Sequence, residues 1–144
     1  MKHFLLFSFS LLLCVGVACA SPAKPISKEQ LPAAAQQFLN DYFSSEKITL
    51  AREDGPVVRR EYEVTLDNGT YIEFSADGQW REVTSRDALP SGIVPRSIET
   101  FVSKRYPSQV IYHIERGRRD WEVGLSNGVE LTFDRVYRLI DIDD

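Results

Sequence analysis

The feature that most constrains the fold is a motif that occurs twice in this chain of 144 residues. Residues 62–69 read YEVTLDNG and residues 121–128 read WEVGLSNG, so the second copy starts 59 positions after the first. In both copies apolar and polar side chains alternate, which is typical of a strand with one buried face, and the Asn-Gly pair is a strong hairpin signal. Self-similarity at a fixed spacing indicates that one structural unit is used twice.

An apolar stripe at helical spacing precedes each copy of the motif. Pro32 and Pro95 suit the first turn of a helix, because the N–H group that proline lacks has no partner there. Four alternating segments follow each stripe. The sequence therefore predicts an α+β fold of two tandem helix-plus-four-strand antiparallel repeats, with the helices packed on one face of the sheet. The repeats are placed at residues 31–87 and 88–144 of one compact domain, and the pattern leaves open whether one sheet runs through both.

The chain begins with the pattern of a cleaved export signal. Lys2 is followed by an apolar stretch, and residues 18–20 read ACA, which is a small-x-small cleavage sequence. We assign residues 1–20 to a signal peptide and residues 21–30 to an N-terminal linker. These assignments predict a periplasmic or secreted protein.

A lipoprotein is the alternative. Residues 16–19 read GVAC, a loose version of a bacterial lipoprotein sequence. If cleavage fell before Cys19, that cysteine would carry lipid and anchor the protein to a membrane of the cell envelope.

Charge and residue usage exclude several functions. The formal net charge is −4, which argues against binding to nucleic acid because phosphates require a basic surface. Cleavage after residue 20 would remove both cysteines and leave His113 as the only histidine. The chain has no Gly-x-Ser-x-Gly sequence, and His113 falls in a predicted strand. We therefore expect no catalytic residues, no cofactor and no metal site, and a protein that is not an enzyme.

Two further charged groups are interpreted as solvated. Asp141, Asp143 and Asp144 form an acidic tail without the spacing of a calcium-binding loop. The basic clusters at residues 59–60 and 116–119 fall before the second strand of each half, and a contact with an anion or a protein is the alternative for them.

The residues around the motif resemble a known family. A Leu-Pro or Val-Pro step precedes each helix, and Phe74 or Phe133 follows each motif before a further aromatic residue. Over about residues 30–142 this combination resembles the PepSY-like family, also called beta-lactamase-inhibitor-like. The resemblance implies an exported bacterial protein and a non-catalytic binding or inhibitory role. It offers no catalytic residues, and a fold alone does not establish a function.

The sheet face away from the helices is the candidate surface for a protein or peptide partner. An open sheet that carries aromatic residues and charges of one sign is suited to docking. Trp80 and Tyr137 are included because they occupy matching positions, although the alternation does not fix the face on which they lie. The predicted partner-binding residues are Glu61, Glu63, Tyr71, Glu73, Trp80, Glu122, Glu130 and Tyr137.

Two functions follow from this surface. The first is an exported binding protein that engages an unknown protein or peptide through the open sheet face and inhibits it. The alternative is a sensor of the cell envelope that binds a small ligand or a divalent cation through the acidic face or the Asp141–Asp144 tail.

Overall fold

The structure is a computed structural model that describes residues 22–144. The predicted signal peptide and its lipoprotein alternative at Cys19 lie outside the described residues. Within residues 22–144, two α-helices and two short 3-10 helices accompany nine strands. In chain order the helices and strands are β1 Lys24–Pro25, α1 Ala33–Tyr42, β2 Ile48–Asp54, β3 Glu61–Leu66, β4 Tyr71–Phe74, β5 Trp80–Thr84, α2 Arg96–Arg105, β6 Ile111–Arg116, β7 Asp120–Leu125, β8 Glu130–Asp134 and β9 Leu139–Asp143.

All nine strands form one antiparallel sheet, in which their order in space is their order in the chain. Strand β5 pairs directly with β6, where Val83 lies opposite Ile114 and Thr84 opposite His113. The short strand β1 pairs with β2 and forms one edge of the sheet, and β9 forms the other edge. The prediction of two tandem helix-plus-four-strand repeats is therefore wrong, because the described residues form a single nine-stranded sheet with two α-helices. Only the broad α+β class agrees with the structure.

The physical reason for this error is that alternation shows which face of a strand is buried but not which strand it pairs with. A free strand edge exposes N–H and C=O groups that another strand can pair. The sequence between β5 and β6 contains a helix, and the pattern does not show that the chain returns to pair with the strand it left.

One face of the sheet, here called the covered face, packs under the two helices. Phe74 and Phe133 are fully buried there. The ring of Phe38 from α1 meets Phe74 edge to face at 5.7 Å between ring centres, and Phe101 from α2 meets Phe133 in the same way at 5.4 Å. The buried core includes Val64, Leu66, Ile72, Val83, Ile98, Ile114, Val123, Leu125 and Leu131.

The two Asn-Gly turns form as predicted. Gly69 and Gly128 have φ angles of +85° and +91°, a region that glycine adopts without steric cost. The Asn68 side chain accepts a hydrogen bond from the N–H of Thr70 at 2.9 Å. The turns therefore fix the register of the β3–β4 and β7–β8 hairpins.

None of the helices within residues 22–144 is both long and apolar enough to cross a bilayer.

Candidate partner-binding face

The sheet face opposite the helices, here called the open face, carries a row of glutamates. Cross-strand pairing places Glu63 opposite Glu73, Glu73 opposite Glu82, Glu82 opposite Glu115 and Glu115 opposite Glu122. Because neighbouring strands lie about 4.8 Å apart, this acidic row of five side chains from β3 to β7 is about 19 Å long. Like charges directly opposite each other destabilise a sheet, so fold stability does not favour this arrangement.

A second row runs beside the acidic row. It contains Thr65, Tyr71, Thr84, His113, Gly124 and Glu130, which lie opposite one another in that order from β3 to β8. Tyr71 is half-buried among the glutamates. Burial and the nearby charges of Glu63 and Glu73 raise the pKa of its hydroxyl, so Tyr71 stays neutral and can donate a hydrogen bond.

The local environment disfavours the ionised form of two glutamates in the acidic row. Partial burial, followed by the charges of Glu61 and Glu82, raises the pKa of Glu73. Partial burial, followed by the charge of Glu115, raises the pKa of Glu122. A positive charge placed beside either carboxyl group would therefore stabilise its ionised form.

Positive charges of the chain neutralise only part of this face. Arg52 forms an ion pair with Glu63 at one end of the acidic row, and Arg81 lies 3.9 Å from Glu61 at its rim. Nδ1 of His113 is 3.7 Å from a carboxylate oxygen of Glu82 and 2.8 Å from the hydroxyl of Thr84. Among residues 22–144, no lysine or arginine forms an ion pair with the other four glutamates of the acidic row.

Gly124 leaves a gap in the open face that a tyrosine fills. The pairing of β6 with β7 is irregular between Ile111 and His113, so Tyr112 is the extra residue of a bulge. A Cβ atom added to Gly124 would lie 3.2 Å from the Tyr112 ring and 3.2 Å from the Cβ of His113. The aromatic ring therefore lies over the glycine, next to the acidic row.

Six of the eight residues predicted for partner binding lie on the open face. The structure brings Glu63, Tyr71, Glu73 and Glu122 together within the two central rows. Glu61 lies at the end of β3 beyond the acidic row, and Glu130 lies opposite Gly124 on β8. The assignment of these residues to partner binding stays a prediction.

Trp80 and Tyr137 do not lie on the open face, which corrects their assignment. A bulge between β4 and β5 pairs Trp80 with the buried Phe74, so the indole ring lies on the covered face, 6.1 Å from the ring of Phe38. Tyr137 lies in the turn before β9 with a φ of 64°, and its ring is 5.9 Å from that of Trp121 in the core. Bulges and turns shift the alternation, and the sequence pattern does not reveal them.

Three residues of the open face were not predicted from the sequence, namely Glu82, Glu115 and Tyr112. Glu82 and Glu115 complete the acidic row because β5 pairs with β6. The alternation of β5 alone, counted from the buried Val83, assigns Glu82 to the open face, and that signal was available. Tyr112 had no comparable signal because it reaches the open face through a bulge.

The potential metal ligands do not converge on one point. Within the part of the chain that the structure describes, no group of three or more His, Cys, Asp or Glu side chains is close enough to hold a metal ion.

The protein is therefore an α+β domain built on one antiparallel sheet. Helices cover one face of this sheet, and the other face is open and acidic. The family model described as "Putative beta-lactamase-inhibitor-like, PepSY-like" matches residues 60–141, which is more than half of the chain. The chain belongs to this PepSY-like family, as the sequence motifs predicted.

Three solved structures are similar to this chain. One is described as a putative periplasmic protein from the DUF2874 family of Bacteroides vulgatus, with 38% identity, a TM-score of 0.83, and coverage of 87% of this chain and 99% of that one. Another is described as a putative calcium-regulated periplasmic protein from Bacteroides thetaiotaomicron, with 41% identity, a TM-score of 0.82, and coverage of 85% and 97%. The third is described as a putative periplasmic protein of unknown function from Bacteroides vulgatus, with 28% identity, a TM-score of 0.77, and coverage of 82% and 95%. No curated protein sequence matches this chain.

Proposed function

We propose that this protein is a non-catalytic binding protein of the cell envelope, and that its open face docks a basic segment of a protein or peptide partner. The acidic row carries this proposal. Four of its five glutamates have no lysine or arginine partner among residues 22–144, although each lies opposite another carboxylate. A partner that brings positive charges to this face would relieve the repulsion.

The chemistry of the face favours lysine and arginine side chains as ligands. The pKa values of Glu73 and Glu122 are raised. A lysine or arginine side chain placed beside either carboxylate would stabilise its ionised form and be attracted to it. The hydroxyl of Tyr71 and the ring of Tyr112 lie beside the acidic row and offer a hydrogen bond and an apolar contact. Aromatic residues surrounded by charges of one sign are suited to binding a complementary partner.

Other observations support the location and the mode of action. The three similar structures are described as periplasmic, which supports an envelope location. The family description includes the words "beta-lactamase-inhibitor-like", which supports inhibition of the partner.

Charge reversal at the centre of the acidic row tests the proposal. The probe is a fluorescent ten-residue peptide of alternating lysine and serine, and its affinity is measured by anisotropy at about 0.15 M salt, where the Debye length is about 8 Å. We expect the double variant Glu82→Lys/Glu115→Lys to bind it about 100-fold more weakly, because two attractive charges become repulsive.

The matched control is the double variant Asp41→Lys/Asp87→Lys. It changes the net charge by the same amount through exposed residues on α1 and on the loop after β5. We expect it to bind within about 3-fold of the unaltered protein, since long-range charge alone contributes little under screening. An equal loss of affinity in both variants would show that net charge, and not this face, controls binding.

A sensor of divalent cations is the second candidate. It is favoured by the words "calcium-regulated" in the description of the Bacteroides thetaiotaomicron structure. Asp141 and Asp143 lie on β9 opposite Thr132 and Glu130, at the edge of the same face. A melting temperature that rises with calcium but not with the basic peptide would favour the sensor, because a ligand that binds only the folded state stabilises it.

A further inference from the structure

A second charged region lies at one end of the sheet, where the β4–β5, β6–β7 and β8–β9 loops meet. A pocket of about 340 Å³ opens there, lined by Ser75, Arg81, Arg116, Gly117, Arg118 and Arg135. An adjoining pocket of about 250 Å³ shares Ser75, Arg81 and Arg118. Three separate parts of the chain thus bring four positive charges to one concave surface of a protein whose net charge is negative.

The central cation of this arginine pocket is held in place. One Nη atom of Arg116 donates a hydrogen bond of 2.6 Å to the carbonyl oxygen of Trp80. The guanidinium carbon of Arg116 lies 4.8 Å from the centre of the Trp80 ring. Stacking and hydrogen bonding together pre-organise this guanidinium, so little side-chain entropy is left to lose on binding a ligand.

Few ion pairs compensate the positive charges of the pocket. Within residues 22–144, Arg81 is the only one of the four with an ion-pair partner, which is Glu61. Arg135 donates a hydrogen bond to the carbonyl oxygen of Gly117. Burial, followed by the charge of Arg135, lowers the pKa of Arg116, and the carboxylate of Asp77 opposes this effect from beyond ion-pair distance.

We infer that the arginine pocket binds a phosphoryl group, carried either by free phosphate or by the headgroup of a lipid. A phosphoryl group has several oxygen acceptors, whereas a carboxylate has two and can be satisfied by a single arginine fork. All four cations are arginine and none is lysine, which suits planar, bidentate contacts with oxyanions. The pocket is formed by loops and strand ends outside the acidic row, so this inference does not rest on the proposed function of the open face.

Calorimetric titration at low salt tests the inference and distinguishes the two sources of the phosphoryl group. One probe is inorganic phosphate, and the other is dihexanoylphosphatidic acid kept below its micelle concentration. Saturable binding of both probes indicates a site for free phosphate, and binding of the lipid alone indicates a headgroup site. In a parallel NMR titration, the backbone amide of Gly117 is expected to shift with the bound probe.

The variant that tests the site is Arg118→Gln/Arg135→Gln, because both side chains are exposed and their replacement should leave the fold intact. We expect the Kd to rise about 10-fold or more, since two charge-assisted contacts are lost. The control Arg96→Gln/Arg105→Gln removes two exposed arginines from α2 and should leave the Kd unchanged. The inference is overturned if neither probe binds saturably, or if both variants lose affinity equally.

Discussion

The two faces of the sheet differ although the same strands build them. On β4, Phe74 points into the covered face and is fully buried, whereas its neighbour Glu73 points into the open face beside two other glutamates. The covered face gains stability from every residue that it buries. The open face places like charges opposite each other, at a cost in stability. Packing therefore explains the covered face, whereas an interaction with something outside the chain would explain the open face.

The largest effect is expected on the covered face. Phe74→Ala should lower the free energy of unfolding by about 3–5 kcal/mol, because it removes a fully buried ring that Phe38 contacts. Urea denaturation followed by circular dichroism measures this loss. A loss below about 1 kcal/mol would mean that Phe74 is not part of a close-packed core.

Trp80 gives the next largest effect, and it tests the corrected assignment of this residue. Trp80→Ala should cost about 2–4 kcal/mol, because the half-buried indole packs against Phe38 and Trp121 and supports Arg116. Trp80→Phe keeps an apolar ring and should cost less than about 1.5 kcal/mol. If Trp80→Ala cost no more than an ordinary surface substitution, the indole would belong on the open face.

Neutralising glutamates of the acidic row should raise the free energy of unfolding, whereas the two substitutions above lower it. The pKa values of Glu73 and Glu122 are raised above the ordinary value of a glutamate, so the folded protein binds more protons than the unfolded chain as the pH rises past that value. The stability that these two groups contribute is therefore fully present below the usual pKa of a glutamate, and it is lost as the pH rises through their raised pKa values in the folded state. Glu73→Gln/Glu122→Gln should raise the free energy of unfolding at pH 7 by about 0.2–1 kcal/mol.

The pH dependence supplies the control for this prediction. At pH 4 the raised pKa values keep Glu73 and Glu122 largely protonated and neutral, so the double variant and the unaltered protein should unfold at nearly the same urea concentration. A stabilisation of equal size at both pH values would have another cause than charge repulsion.

The smallest effect is expected at Gly124. Gly124→Ala places a Cβ atom 3.2 Å from the Tyr112 ring, which has to move by a few tenths of an ångström. The cost should be less than about 0.5 kcal/mol, because the ring lies at the surface of the open face. Proton NMR of the tyrosine rings should show a change at Tyr112, and unchanged tyrosine spectra would contradict the contact.

The sequence predicted the parts of the fold that depend on local alternation. The Asn68-Gly69 turn, and the burial of Val64 on β3 and of Phe74 on β4, follow from a period of two and from turn chemistry. The same alternation assigned Glu63 and Glu73 to the open face.

The parts that could not be predicted depend on non-local pairing and on bulges. The pairing of β5 with β6 joins Glu82 to Glu115, two residues separated by a helix in the sequence. Bulges moved Trp80 to the covered face and Tyr112 to the open face, because one extra residue reverses the alternation. The arginine pocket arises only when three loops meet at one end of the sheet.

A methyl NMR titration with the basic lysine–serine peptide tests directly whether the open face is the docking surface. Threonine methyl groups report on the open face through Thr65, Thr84 and Thr132, and isoleucine methyl groups report on the covered face through Ile72 and Ile114. We predict that the peptide shifts the three threonine signals and leaves the two isoleucine signals in place. Saturable binding that shifts the isoleucine signals, or that leaves all three threonines unchanged, would contradict the assignment of the open face as the docking surface.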